Sequence, residues 1–115
     1  MHEFGIANSV LDAARAEAQL RPSMRLTKIV VRLGDLAGVD PDALSFCFEA
    51  LVKETDWQPV VLEIERSAQR RGCLHCGSEF VVLNHNTACP TCGDNMTTFL
   101  SGNELELAYL EMEDL

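Results

Sequence analysis

Apolar residues recur at intervals of three and four from the start of the chain. Phe4, Ala7, Leu11, Ala14 and Ala18 make one face, flanked by Ile6 and Val10. This spacing predicts an amphipathic helix that starts directly after Met1-His2-Glu3 and ends near Arg21-Pro22, where proline cannot continue it. Over residues 26–33 the period changes to two. Thr27, Ile29, Val31 and Leu33 alternate with Leu26, Lys28, Val30 and Arg32, which predicts a strand with one face in a core. Gly34 to Val39 reads as a loop. Asp40-Pro41 then opens a second helix running to about Lys53, with Asp40 as N-cap and Pro41 in the first helical position. Its apolar stripe is Leu44, Phe48 and Leu51, with Cys47 beside it. Pro59 to Ser67 reads as a second strand, with Val60, Leu62 and Ile64 on one face against Glu63 and Glu65. A third strand follows Gly102, where Leu105, Leu107 and Tyr109 alternate with Glu104 and Glu106, and ends near Met112.

Between the second and third strands the apolar pattern gives out. From Arg70 to Met96 the sizeable apolar residues are Leu74, Phe80, Val81, Val82 and Leu83, too few for a core. Four cysteines stand there instead: Cys73-x-x-Cys76-Gly77 and Cys89-x-x-Cys92-Gly93, twelve residues apart. Two residues between cysteines let a tight turn aim both sulfurs at one centre, and two such turns supply a tetrahedron of thiolates for a structural zinc. The glycine after each pair suits a turn of positive φ. Zinc at such a site contributes about 10–16 kcal/mol, which replaces the missing core. Iron suits the same four sulfurs. Disulfides need an oxidising compartment, and residues 1–15 carry neither the basic start nor the apolar run of a secretory signal. The expectation is a cytoplasmic protein. Cys47, in the helical pattern, reads as a small core residue.

The predicted fold class is α+β: two helices packed on a three-stranded sheet, with an inserted zinc-ribbon-like module of four cysteines. The base domain is discontinuous, residues 1–68 and 101–115, and the zinc-binding domain is 69–100. Both junctions are short, which predicts a module held close with room to hinge. No apolar run approaches the roughly 20 residues of a membrane span.

Charge narrows the function. The chain of 115 residues carries 9 basic and 18 acidic residues, a net −9. Zinc ribbons often bind nucleic acid, but phosphate affinity comes from lysine and arginine. The module has only Arg70 and Arg71 at its edge, so the expectation is no nucleic acid. A zinc-ribbon adaptor that binds protein or nucleic acid is the alternative reading, and a rubredoxin-type iron protein is a second. The sequence holds no phosphate loop, no nucleophile turn and no helical zinc-hydrolase motif, so a non-enzymatic role is expected. His75 and His85 read as solvated residues of the module.

The N-terminus carries a further pattern. The Met1 amine, the deprotonated amide and imidazole of His2, and the Glu3 amide can wrap one metal in fused chelate rings. Nitrogen donors in a plane suit Ni(II) or Cu(II) and suit zinc poorly. Glu3 is also a favourable charge at a helix start.

Met-His-Glu at the start, Arg32 to Phe46 (RLGDLAGVDPDALSF), the paired C-x-x-C-G turns and Ser101-Gly102-Asn103-Glu104-Leu105 together resemble the HypA/HybF family. The likeness covers essentially the whole chain. It implies a nickel metallochaperone of [NiFe]-hydrogenase maturation. Nickel as transient cargo would bind through His2, with the Met1 amine and the backbone nitrogens of His2 and Glu3. Structural zinc would bind at Cys73, Cys76, Cys89 and Cys92. The resemblance also implies work with a HypB-type nickel GTPase and delivery to the hydrogenase large subunit, with urease served by some members. A monomer or weak homodimer is expected. One departure stands out: some members place histidines just beside the C-x-x-C turns, whereas here His75 is inside the first turn and His85 is mid-loop. Asp40 lies near the second helix start, where an N-cap role accounts for it.

Overall fold

A computed structural model describes residues 2–55 and 59–115. Two helices and six strands follow in the order α1 (Glu3–Gln19), β1 (Met24–Gly34), α2 (Pro41–Lys53), β2 (Val61–Ser67), β3 (Arg70–Cys73), β4 (Glu79–Val81), β5 (Thr97–Ser101) and β6 (Leu105–Asp114). The strands form two sheets of three, ordered β2-β1-β6 and β4-β3-β5. The α+β class, with two helices on a three-stranded sheet and an inserted module of four cysteines, is the fold observed. The three short strands of the module fall in the stretch where apolar periodicity is absent.

Helix α2 starts for the reasons the sequence suggests. Asp40 has extended backbone (φ −78°, ψ 116°), and its carboxylate accepts from the N–H groups of Asp42 and Ala43 at 2.9 and 3.4 Å. Pro41 follows at the first helical position, where its missing N–H costs nothing. Helix α1 ends at Gln19, three residues short of Pro22. Ala7, Leu11 and Ala14 of α1 and Leu44 and Phe48 of α2 bury their side chains against Ile29 and Val31 of β1. Phe4, at the head of the apolar face, is exposed. Cys47 and Leu51 pack at the edge of this core, as do Val60, Leu62 and Ile64.

Strand β1 is central and pairs in both senses. It runs parallel to β2, which requires a crossover, and α2 supplies it. It runs antiparallel to β6, joining Met24 to Asp114 and Leu33 to Leu105. Two bulges along this second seam change which residues face the helices. Thr27 is the extra residue in β1, so Leu26 points with Ile29 into the core instead of with Lys28. Ala108 is the extra residue in β6. Strict alternation would place Tyr109 with Leu107; the bulge reverses the phase, so that Leu107, Leu110 and Met112 face the core and Tyr109 is 45% exposed.

The helices cover one face only. On the open face Lys28 sits between Glu63 of β2 and Glu111 of β6, at 3.4 and 3.8 Å, and Arg32 between Glu65 and Glu106, at 3.6 and 2.8 Å. Val30 lies between these two cations on β1 and is fully buried although no helix covers it.

Candidate metal centres

The four-cysteine cluster is built from two similar turns. Cys73 ends β3. Its N–H bonds the Ser78 carbonyl at 2.8 Å, and its carbonyl accepts from Gly77 N–H at 3.0 Å. Cys89 repeats the arrangement with Asp94 and Gly93, at 2.9 and 2.8 Å. Gly77 and Gly93 have φ of 80° and 79°, a conformation that costs other residues a steric penalty. The sheet closes the two turns on each other: Leu74 N–H bonds the Met96 carbonyl at 2.9 Å, and Cys73 pairs with Thr97.

All four sulfurs lie within 4.8 Å of one another. Cys73 and Cys92 are 3.6 Å apart, as are Cys76 and Cys89. A disulfide needs about 2.05 Å. A tetrahedron of sulfurs at about 2.3 Å from a metal has edges of about 3.8 Å, which this spacing fits. Backbone N–H groups of His75 and Cys76 each reach Cys73 Sγ at 3.4 Å. The thiols are unequal. The Ser78 hydroxyl, 3.3 Å from Cys76 Sγ, is the main reason that this thiol is lowered to about 6. The Cys92 backbone N–H lowers Cys89. The Asp94 backbone N–H pulls Cys92 down as well, but desolvation and the other three thiols outweigh it and push Cys92 up to about 12. Four negative sulfurs at this spacing repel, so the last proton leaves only when a cation replaces it. Cys73 and Cys89 are buried, at 5% and 2% exposure, while Cys76 and Cys92 face solvent.

Neither histidine of the module joins the cluster among the described residues. His75 is exposed, with Nδ1 3.9 Å from Asp94 Oδ2. Asn84 and His85, with φ of 53° and 62°, are the middle residues of a tight hairpin turn closed by the Asn86 N–H to the Leu83 carbonyl at 3.0 Å. His85 is thus a turn residue. Ser78, whose hydroxyl tunes Cys76, has no signal in the sequence beyond its place after Gly77.

At the other end of the chain, His2 is exposed and occupies the N-cap of α1 without a side-chain capping bond. Its carbonyl accepts the first bond of the helix, from Ile6 N–H at 2.9 Å. The Glu3 amide lies ahead of that ladder. The Glu3 carboxylate accepts from the Asp40 backbone N–H at 3.3 Å. Met1, whose amine the sequence nominates as a donor, lies outside the described residues. His2 also lines a groove of about 600 Å³ between α1 and β6, with Ile6, Val10, Leu105 and Leu107.

Fold and cluster define a small α+β metal-binding protein whose four thiolates come from an inserted module. The family described as "Hydrogenase/urease nickel incorporation, metallochaperone, hypA" matches residues 1–112. The chain is 40% identical over 113 residues to the hydrogenase maturation factor HypA of Geobacter metallireducens, covering 98% of this chain and 100% of that protein. Against the HypA of Geotalea uraniireducens identity is 39%, with the same coverage. Two solution structures share the fold. One, described as the Ni metallochaperone HypA from Helicobacter pylori, covers 100% of both chains with a TM-score of 0.64 at 22% identity. Another, of a HypA protein, covers 98% of this chain and 97% of that one, with a TM-score of 0.69 at 23% identity. This chain belongs to the HypA family of nickel-incorporation metallochaperones.

Proposed function

We propose that this protein carries Ni(II) at its N-terminus for hydrogenase maturation, in a discontinuous domain of residues 1–68 and 101–115. Residues 69–100 form a zinc-binding domain whose ion is structural, held by Cys73, Cys76, Cys89 and Cys92. Nickel takes the Met1 amine, the amide and imidazole of His2 and the amide of Glu3. The observation that most favours this site is the position of the Glu3 N–H. It precedes the first intrahelical bond, which ends on the His2 carbonyl. A metal can therefore displace the amide proton, which leaves to solvent, without breaking the helix. The positive end of the helix dipole favours the negative nitrogen that results.

The work is binding and release. A donor must surrender its metal, and an exposed site with a single side-chain ligand suits that need. A HypB-type GTPase loads or accepts nickel, and the hydrogenase large subunit is its destination. Four protein sulfurs fill the tetrahedron of the second site, so zinc there keeps no open position for substrate. Nickel titration of untagged protein with its native N-terminus, followed by absorbance and calorimetry, tests the reading. One nickel per chain, lost in His2→Ala with zinc retained, is the expected result. Unchanged nickel affinity in His2→Ala moves the site elsewhere.

A further inference from the structure

We propose that the Glu104 carboxylate is a latch that fixes the angle between the four-cysteine module and the helix-covered sheet, so that the two move as one body. The chain crosses between them twice. It leaves from Ser67, the last residue of β2, to Arg70 of β3, and returns from Ser101 of β5 to Leu105 of β6. Two short crossings side by side would ordinarily make a hinge. Glu104 holds both. One carboxylate oxygen accepts from the Ser67 hydroxyl at 2.6 Å, on the outward crossing. The other accepts from the Gly102 N–H at 2.9 Å, on the return. Hydrogen bonds to a charged acceptor are about twice as strong as neutral ones.

The corner after β1 closes the assembly. Gly34 N–H bonds the Glu104 carbonyl at 2.7 Å, Asp35 N–H the Ser67 carbonyl at 2.9 Å and Leu36 N–H the Gly102 carbonyl at 2.7 Å. On the module side, Val82 N–H bonds the Gln69 carbonyl at 2.8 Å. The three backbones touch. A methyl group on Gly34 would meet the Gly102 carbonyl oxygen at 2.2 Å, and one on Gly102, whose φ is 122°, would meet Gln69 Cα at 2.6 Å. Arg70, which opens β3, and Ser101, which closes β5, are themselves paired. No slack segment separates the latch from the module's own sheet.

Glu104 is thus a positioning residue: it touches no metal, but it determines where the N-terminal helix stands relative to the cysteine cluster. A protein that docks on the module also sets the place of the chain's first residues.

The test uses the zinc-loaded, isotope-labelled full chain in a weakly aligning medium. Residual dipolar couplings give an alignment tensor for the helix-covered sheet and another for the module. The parent should show one common tensor. Glu104→Ala should split it into two, with the couplings inside each sheet and the zinc content unchanged; a general loss of structure would instead disturb the couplings within a sheet. Glu104→Gln, which keeps one acceptor oxygen, should restore part of the agreement. A common tensor in Glu104→Ala, or two tensors in the parent, overturns the proposal. Should Glu104→Ala fail to fold, Ser67→Ala removes one donor and leaves the carboxylate in place. A smaller split in that variant supports the latch, and a parental tensor in it overturns it.

Discussion

The Glu3 carboxylate accepts a hydrogen bond from the backbone N–H of Asp40, 3.3 Å away. The first turn of α1 is thereby tied to the cap of α2. Asp40 uses its own carboxylate to cap α2. One oxygen of the Glu3 carboxylate thus serves the fold, while the proposed nickel site draws on the Glu3 backbone nitrogen.

That division of labour separates two variants. His2→Ala should abolish specific nickel binding, and so should a residue added before Met1, which turns the amine into an amide. Glu3→Ala should retain most nickel affinity while lowering stability by about 1 kcal/mol, the ordinary net value of one hydrogen bond. Asp40→Ala should also cost about 1 kcal/mol, through the lost cap, and keep nickel binding. Calorimetric titration beside thermal melting separates these outcomes. Loss of nickel in Asp40→Ala at intact fold would make Asp40 a ligand.

Serine at any of the four clustered cysteines should remove the zinc and unfold the module. The helix-covered sheet should stay folded, because its core is built from α1, α2 and β1. Cys47→Ser should keep one zinc per chain, since Cys47 packs against that core, outside the sulfur cluster. Metal analysis of the purified variants decides it. A Cys47 variant as depleted as Cys73→Ser would contradict the ligand assignment.

Acid should loosen the junction. The Ser67 hydroxyl, followed by the Gly102 N–H, holds the Glu104 carboxyl below its ordinary 4.5. The folded chain then binds this proton less readily than the unfolded chain. The contribution to stability is therefore full above 4.5 and is lost as pH falls through the lower, folded value. In Ser67→Ala this part of the acid dependence should shrink. Denaturant melts of both proteins from neutral to acid pH, with zinc content followed in the same samples, measure the difference. Parallel curves would show that the Ser67 bond does not carry the effect.

Gly34→Ala should be severely destabilising. The new methyl would meet backbone at 2.2 Å, not the movable end of a side chain. A loss above about 3 kcal/mol is expected, in the range of the largest single-residue effects. A near-parental denaturation midpoint would mean that the crossing has room to yield.

The net charge of −9 predicts a basic docking face on the GTPase proposed above as the partner. Opposite charges speed encounter, and salt screens them with a Debye length of about 8 Å at physiological strength. Association should slow as salt rises. Association rates that ignore salt would leave shape and apolar contact to account for recognition.

Much of the architecture is legible in the residues because each sign has a local cause. Asp40-Pro41 marks a helix start, the alternation around Ile29 and Val31 marks a strand, and the two C-x-x-C-G turns mark a metal cluster. The phase of β6 is not legible, since a bulge at Ala108 leaves no mark in a run of alternating glutamates and leucines. The bulge at Thr27 conceals the inward turn of Leu26 in the same way. The Glu104 junction is hidden differently. Its partners Ser67 and Gly34 are distant in sequence, and Glu104 looks like one more solvated carboxylate beside β6.

The pairing of Arg70 with Ser101 bears on how the chain reaches its fold. Strand β6 is synthesised last, yet it must lie along β1, and the whole module intervenes. While the module is disordered, Ser67 and Leu105 are the ends of a long loop, and bringing them together costs entropy. A metal that folds the module joins those ends through one paired residue couple. The effective loop shrinks about six-fold, which at about 0.6 kcal/mol per halving favours β6 docking by about 1.5 kcal/mol. A metal in the module would thus stabilise a sheet that it never touches.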